Sequence, residues 1–336
     1  HEQRTHSVIP SGGLMATARP PSRIEPIADC PDVLDFPREV HPILDRLCVD
    51  CHDYEKTKRG GPYAGNVVLT GDRGPMFSHA YFTMTVRRLF IDGRDDPKSN
   101  YPPRALGSGA SRILTMLDGS HYDVKATERE KKVLRLWTEV GAPYPGTYAA
   151  LGCGSIGGYQ QNSLTNTDFD WPTTKAGADV VKRRCASCHK GNDVLPKSLS
   201  DERGVSFWKF DILDPRLRLS RHIMFNLSRP EKSLIAMAPL AKAAGGLELC
   251  RTADGKPAVL FADTSDADYR ALVAMAAAGK ENLEQIKRFD MPGFRPRPGY
   301  VREMIRYGVL PADQPLDAQI DCYATDQAYW KSLWYG

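Results

Sequence analysis

Apolar positions recur at helical spacing in several separated stretches of this chain. Val40, Ile43, Leu44 and Leu47 fall at i, i+3, i+4 and i+7, which predicts a helix starting near Pro37, with Pro42 tolerated only in its first turn. Thr127 and Glu130 have the spacing of a capping box ahead of a stripe formed by Val133, Leu134, Trp137 and Val140, and Gly141 and Pro143 stop that helix. Pro172-Thr173-Thr174 opens another helix carrying Val180 and Val181. Further helices are expected at 266–278 (with Ser265 and Asp268 as cap and N3), 281–289, 300–307 and 326–334, and a short one at 111–117. Between them lie polar, Gly-rich and Pro-rich stretches, including 56–74 and 149–172. The pattern predicts a mainly α protein with long irregular loops. An extended arm occupies residues 1–36, and two helical domains follow at 37–150 and 151–336.

Composition narrows this only modestly. With 336 residues, 41% hydrophobic and 26% charged, the chain can bury a globular core. It has no apolar run of the length a transmembrane helix needs, so no transmembrane segment is expected. A net charge of +4 gives no warrant for a nucleic-acid partner.

The chemistry is concentrated in Cys48-Val49-Asp50-Cys51-His52 and its second copy, Cys185-Ala186-Ser187-Cys188-His189. C-x-x-C-H is the attachment signature of a c-type haem. One helical turn brings both sulfurs to one porphyrin edge, and the following His supplies an imidazole to the iron. The expected cofactors are therefore two covalently bound haem c groups, held by Cys48, Cys51, Cys185 and Cys188, with His52 and His189 as proximal ligands. A four-cysteine zinc ribbon would space its pairs by a few tens of residues, whereas Cys51 and Cys185 are much further apart. A thioredoxin-like dithiol would follow a strand and need no His. The two halves share this device but no longer sequence repeat.

Haem c is attached outside the cytoplasm, which predicts a periplasmic or extracellular location. In that setting the remaining Cys30, Cys153, Cys250 and Cys322 predict at least one disulfide, with no pairing assigned.

The residue opposite each proximal His decides the chemistry: a second His makes a low-potential carrier, Met raises the potential, and an open position permits substrate chemistry. For the first haem the candidates are His121, which follows a Gly-Ser turn, then His79, His41 and nearby methionines. His121 is the expected ligand. For the second haem His222 is the expected ligand, with Met224 or an open iron as alternatives. The basic run Lys182-Arg183-Arg184 reads as a solvated helix face.

Several longer strings carry a resemblance. His41-Pro-Ile-Leu-Asp-Arg-Leu-Cys-Val-Asp-Cys-His52, Gly119-Ser-His-Tyr-Asp-Val124, Asn166-Thr-Asp-Phe-Asp-Trp-Pro-Thr-Thr-Lys175, Phe225-Asn-Leu-Ser-Arg-Pro-Glu-Lys-Ser233 and Phe289-Asp-Met-Pro-Gly-Phe294 resemble the haem-bearing region of proteins related to the alpha subunit of hydrazine synthase. In that family a propeller-like domain precedes the haem domains. One haem is catalytic, and another relays electrons through two His ligands. This chain departs from the pattern at its start. No propeller precedes residue 1, and His1-Glu2 matches the end of a further C-x-x-C-H whose cysteines lie outside the sequence, or a tag remnant. The resemblance implies ligand roles for His52, His121, His189 and His222 but identifies no residue for hydrazine chemistry. The expectation is two cytochrome c-like haem domains relaying single electrons to a redox partner protein or within a larger multihaem assembly. The alternative is a haem enzyme of nitrogen-oxide or peroxide type with one open iron.

Overall fold

The computed structural model describes residues 18–20, 25–93, 100–150, 168–202, 214–252 and 254–334. Cys153, most of the 149–172 connector, and His1 and His6 lie outside them. Among the described residues the protein is mainly helical, and its only β pairings are isolated bridges. The helices are α1 (His41–Leu47), α2 (His79–Val86), α3 (Arg112–Thr115), α4 (Glu128–Glu139), α5 (Pro172–Val180), α6 (Arg221–Met224), α7 (Leu234–Met237), α8 (Ala267–Ile286), α9 (Pro298–Arg306) and α10 (Cys322–Trp334).

The helix starts follow their local chemistry. α1 is preceded by a wide turn, Phe36–Val40, that Asp35 caps by accepting from the Arg38 N–H, and Pro42 sits in the first turn of α1. Thr127 and Glu130 form the reciprocal capping box of α4: the Glu130 N–H donates to Thr127 Oγ1, and the Thr127 N–H donates to Glu130 Oε2 at 2.7 Å. Such caps contribute about 1 kcal/mol each. Val133, Leu134 and Trp137 are buried as expected, but Val140 is 60% exposed. The helix ends at Glu139, and Gly141 turns the chain at φ +94°, carrying Val140 off the apolar face.

Two helices expected at 266–278 and 281–289 are a single helix, α8. Gly279 lies inside it because a Cβ there would come within 2.5 Å of the Leu199 side chain. Close packing, and not a helix break, explains that glycine. α8 crosses α5 at a similar contact, where Gly177 faces Met275. The basic run also does more than meet solvent. Arg183 and Arg184 both pair with Asp268 at 2.9 Å, and Arg184 donates to Leu260 O, which fastens the end of the α5 region to the start of α8.

The core divides into two apolar clusters. The first is aromatic and includes Phe36, Phe77, Tyr81, Phe90, Trp137 and Tyr144 with the α1 residues Ile43 and Leu44. The second gathers Val180, Val181 and Cys185 with Leu199, Phe225, Met237, Leu272 and Met275. The clusters exchange segments: Tyr54 and Val68 belong to the second, Leu217 and Phe289 to the first.

Polar contacts lock this exchange. Asp72 accepts from Arg229 (2.6 Å) and Asn226 (2.8 Å), and Arg229 also reaches Asp53 at 2.9 Å. The Leu227 N–H donates to Arg73 O, and the Arg73 N–H to Ser228 Oγ.

Among the described residues no disulfide forms. Cys30 packs on the first cluster, Cys250 lies near the Cys185–Cys188 pair, and Cys322 begins α10, so these three thiols stand in three different places.

Candidate haem sites

Each C-x-x-C-H folds into the same turn. Cys51 and His52 both donate their N–H to Cys48 O, at 3.1 and 3.0 Å. Cys188 and His189 do the same to Cys185 O, at 3.0 and 2.9 Å. The residue after the first cysteine reaches back five positions in both copies, Val49 to Leu44 O and Ala186 to Val181 O, each at 3.1 Å. That widened turn, common at functional sites, lets the motif leave the helix without losing its hydrogen bonds. All four thiols are free. Cys48 and Cys185 are pushed up to about 12 and about 11, chiefly by burial, which is the reverse of the depressed thiol of a redox dithiol. The two pairs sit in different apolar clusters. Among the described residues no group of three or more His, Cys, Asp or Glu side chains is arranged to hold a metal ion, as a ribbon would require.

The imidazoles of the two motifs are also oriented alike. His52 Nδ1–H donates to the carbonyls of Ala64 (3.1 Å) and Val67 (3.3 Å), and His189 Nδ1–H donates to Asp193 O at 2.8 Å. A backbone acceptor on Nδ1 fixes the tautomer and leaves Nε2 with its lone pair, the state a metal-binding His requires. Burial lowers the pKa of His52, so its ring is held neutral. The Ala64–Val67 carbonyls come from a tight loop in which Tyr63, Gly65 and Asn66 all have left-handed backbone, φ 56°, 63° and 56°. Strain of this kind is kept where surrounding structure enforces it.

The sixth-ligand candidates separate clearly. The His121 ring lies 6.1 Å from the His52 ring, with planes 14° apart. Its loop is closed by Ser120 N–H to Asp118 Oδ1, Ser120 Oγ to Thr115 O and Ala126 N–H to Leu117 O, and Tyr122 and Asp123 follow with φ of 50° and 59°. His79 is buried with both nitrogens used: Tyr54 OH donates to Nδ1 at 2.6 Å, and Nε2–H donates to Phe225 O at 3.0 Å. His41 Nδ1 pairs with Asp45 at 3.2 Å.

His222 is on α6, its ring 4.6 Å from Phe82 and 5.4 Å from Phe77. Among the described residues no ring contact joins it to His189. The structure therefore brings the His52 and His121 rings together, whereas among the described residues no ring contact joins His189 and His222. His222 Nδ1 is buried with no hydrogen-bond partner, and burial, then Arg221, pushes its pKa well down.

The residues of the first site fit a haem iron. Two imidazoles bonded through nitrogen to one metal at about 2 Å each place their ring centres roughly 6.3 Å apart. Direct stacking would bring them much closer. The carbonyl anchors of the His52 and His189 rings were not visible in the sequence, because their acceptors are backbone atoms of loops without pattern.

No protein-family model, no curated protein and no solved structure matches this chain.

Proposed function

We propose that the chain is a dihaem c-type cytochrome of two cytochrome c-like haem domains that relays single electrons outside the cytoplasm, to a redox partner protein or within a multihaem assembly. The observation that carries this reading is the His52–His121 pair, 6.1 Å apart and 14° from parallel, beside a cysteine turn that recurs at Cys185–His189. Cys48 and Cys51 would anchor the first haem and Cys185 and Cys188 the second. A bis-His haem supplies a one-electron couple with little change of structure. The chain aims His52 and His189 through their carbonyl partners, so little reorganisation accompanies a change of charge. The resemblance of the quoted strings to hydrazine synthase alpha-subunit relatives points the same way.

A second reading is favoured by one placement. The His222 ring packs on Phe77 and Phe82 and, among the described residues, has no ring contact with His189, which suits a second iron not held by His222. That reading makes the chain a haem oxidoreductase with one open site.

A pyridine haemochrome count and the ferric EPR spectrum of the protein, produced with haem c maturation, test both. Two haems per chain, both low-spin, support the relay. One low-spin and one high-spin haem support the oxidoreductase. A chain that matures without haem overturns both.

A further inference from the structure

A cavity of about 90 Å³ lies between the loop that orients His52 and helix α2, with Arg218 and Ile223 of the second half on its far wall. Its floor is buried and self-satisfied, since Tyr54 OH is spent on His79 Nδ1 and His79 Nε2–H on Phe225 O. The mouth is different. Arg87 donates to Asn66 O at 2.9 Å and has no carboxylate partner among the described residues. The Tyr63 hydroxyl, the Asn66 amide and the Thr83 hydroxyl carry no hydrogen bond of their own among the described residues, and all three side chains line the space. Among the described residues no carboxylate lines it. The volume equals roughly three waters, enough for an anion of four or five heavy atoms.

The two walls also lead to both haem motifs. Tyr63 and Asn66 belong to the loop whose Ala64 and Val67 carbonyls take the His52 Nδ1 proton. Arg218 donates to Asp193 Oδ1 at 2.8 Å, and the carbonyl of that same Asp193 takes the His189 Nδ1 proton.

We infer that this cavity binds a small oxyanion, a carboxylate or an inorganic ion of similar size, and that its occupancy is communicated to both proximal histidines. Arg87 supplies the charge-assisted contact, and Tyr63, Thr83 and Asn66 supply neutral donors around it. Arg218 is drawn toward the same negative charge and so loosens its hold on Asp193. A negative charge placed between the two motifs favours the more positive, oxidised form of each iron and lowers both midpoint potentials. Linkage then requires the oxidised protein to bind the anion more tightly than the reduced one. The binding stands without the haem reading, while the effect on potentials rests on it.

The test is calorimetric titration of the haem-loaded protein with acetate and with nitrate, against chloride at constant ionic strength. Saturable binding is expected, weakened about tenfold or more in Arg87→Gln and less in Tyr63→Phe. Heats that never saturate, or equal affinity in Arg87→Gln, overturn the site. Spectroelectrochemistry across the same titration should show both potentials falling with the calorimetric binding curve. Saturable binding with unmoved potentials overturns the coupling. If the chain carries no haem, the relay fails and calorimetry alone decides the site.

Discussion

The imidazoles of His52 and His121 lie 6.1 Å apart, with their planes 14° from parallel, although 68 positions separate them in the chain. Each ring is fixed by its own loop. His52 is held through Nδ1 by two carbonyls, and His121 by a turn stapled at Asp118, Ser120 and Leu117. Neither loop owes its shape to the other ring, so the pairing would be preorganised for the shared haem iron proposed above.

On the dihaem reading, replacing His121 should empty one coordination position and leave the rest of the fold intact. In His121→Ala, half of the ferric haem is expected to change from low-spin to high-spin, and added imidazole should restore the low-spin signal. EPR and optical spectra with and without imidazole check this. An unchanged spectrum would mean that another group fills the position.

The Cys-x-x-Cys-His turn was legible in the sequence because it spans only five residues. The α4 cap was legible for the same reason, with Thr127 and Glu130 satisfying each other locally. What the sequence concealed depends on long-range packing. Gly279 marks the contact of α8 with Leu199 and not an end of the helix, and Val140 leaves the apolar stripe because the backbone turns at Gly141. His79 has the sequence position of a ligand candidate, and only the fold gives both of its nitrogens to Tyr54 and Phe225. The cavity between Arg87 and Arg218 has no local signature, since it exists only where the two halves meet.

Trp137 should be the most costly apolar side chain to remove from the first cluster. It is fully buried, packs edge-on against Phe90 at 4.9 Å, and donates its indole N–H to Pro143 O at 2.8 Å. Trp137→Ala is expected to lose about 3–5 kcal/mol of stability through lost contacts and the cavity left behind. The shift in urea midpoint at constant slope measures it. Trp137→Phe should recover a large part, since it keeps the ring packing and gives up only the hydrogen bond.

Asp35 makes stability depend on pH in an unusual direction for a carboxylate. It is wholly buried, and burial pushes its pKa up to about 6 even though Tyr323 and the Arg38 N–H both donate to it. The native state therefore favours the protonated form more than the unfolded chain does. The contribution is fully present below the ordinary value of 3.8 and is lost as pH rises through about 6, a loss of about 3 kcal/mol at this residue. Asp35→Asn keeps an oxygen for the Arg38 N–H and removes the titration. Its stability relative to wild type should rise between pH 4 and pH 7, as read by urea unfolding at both values. A constant difference would place the Asp35 pKa near its ordinary value.

Arg288 and Asp290 give the reverse dependence. Both are buried, with Arg288 Nε donating to Asp290 Oδ1 at 2.7 Å and Nη2 to Oδ2 at 2.8 Å. Arg288 also reaches Gly74 O at 2.9 Å, and Tyr144 OH donates to Asp290, which ties the segment after α8 to the first cluster. Burial pushes the Asp290 pKa up, but Arg288 and Arg73 more than offset it and hold the carboxyl below its usual range. Arg288→Met strands a buried carboxylate and should cost about 3–5 kcal/mol at neutral pH. In that variant burial is opposed only by Arg73 and Tyr144, so Asp290 takes up a proton more readily on acidification. The deficit relative to wild type should then narrow as pH falls toward 4, because the variant gains stability by protonating Asp290, while the wild-type carboxyl, held below 3.8, keeps its charge and its ion pair there. The double variant Arg288→Met with Asp290→Asn should recover part of the loss at neutral pH. A deficit that stays the same at both pH values, and in the double variant, would assign the cost to the lost Gly74 contact and the packing of the Arg288 stem.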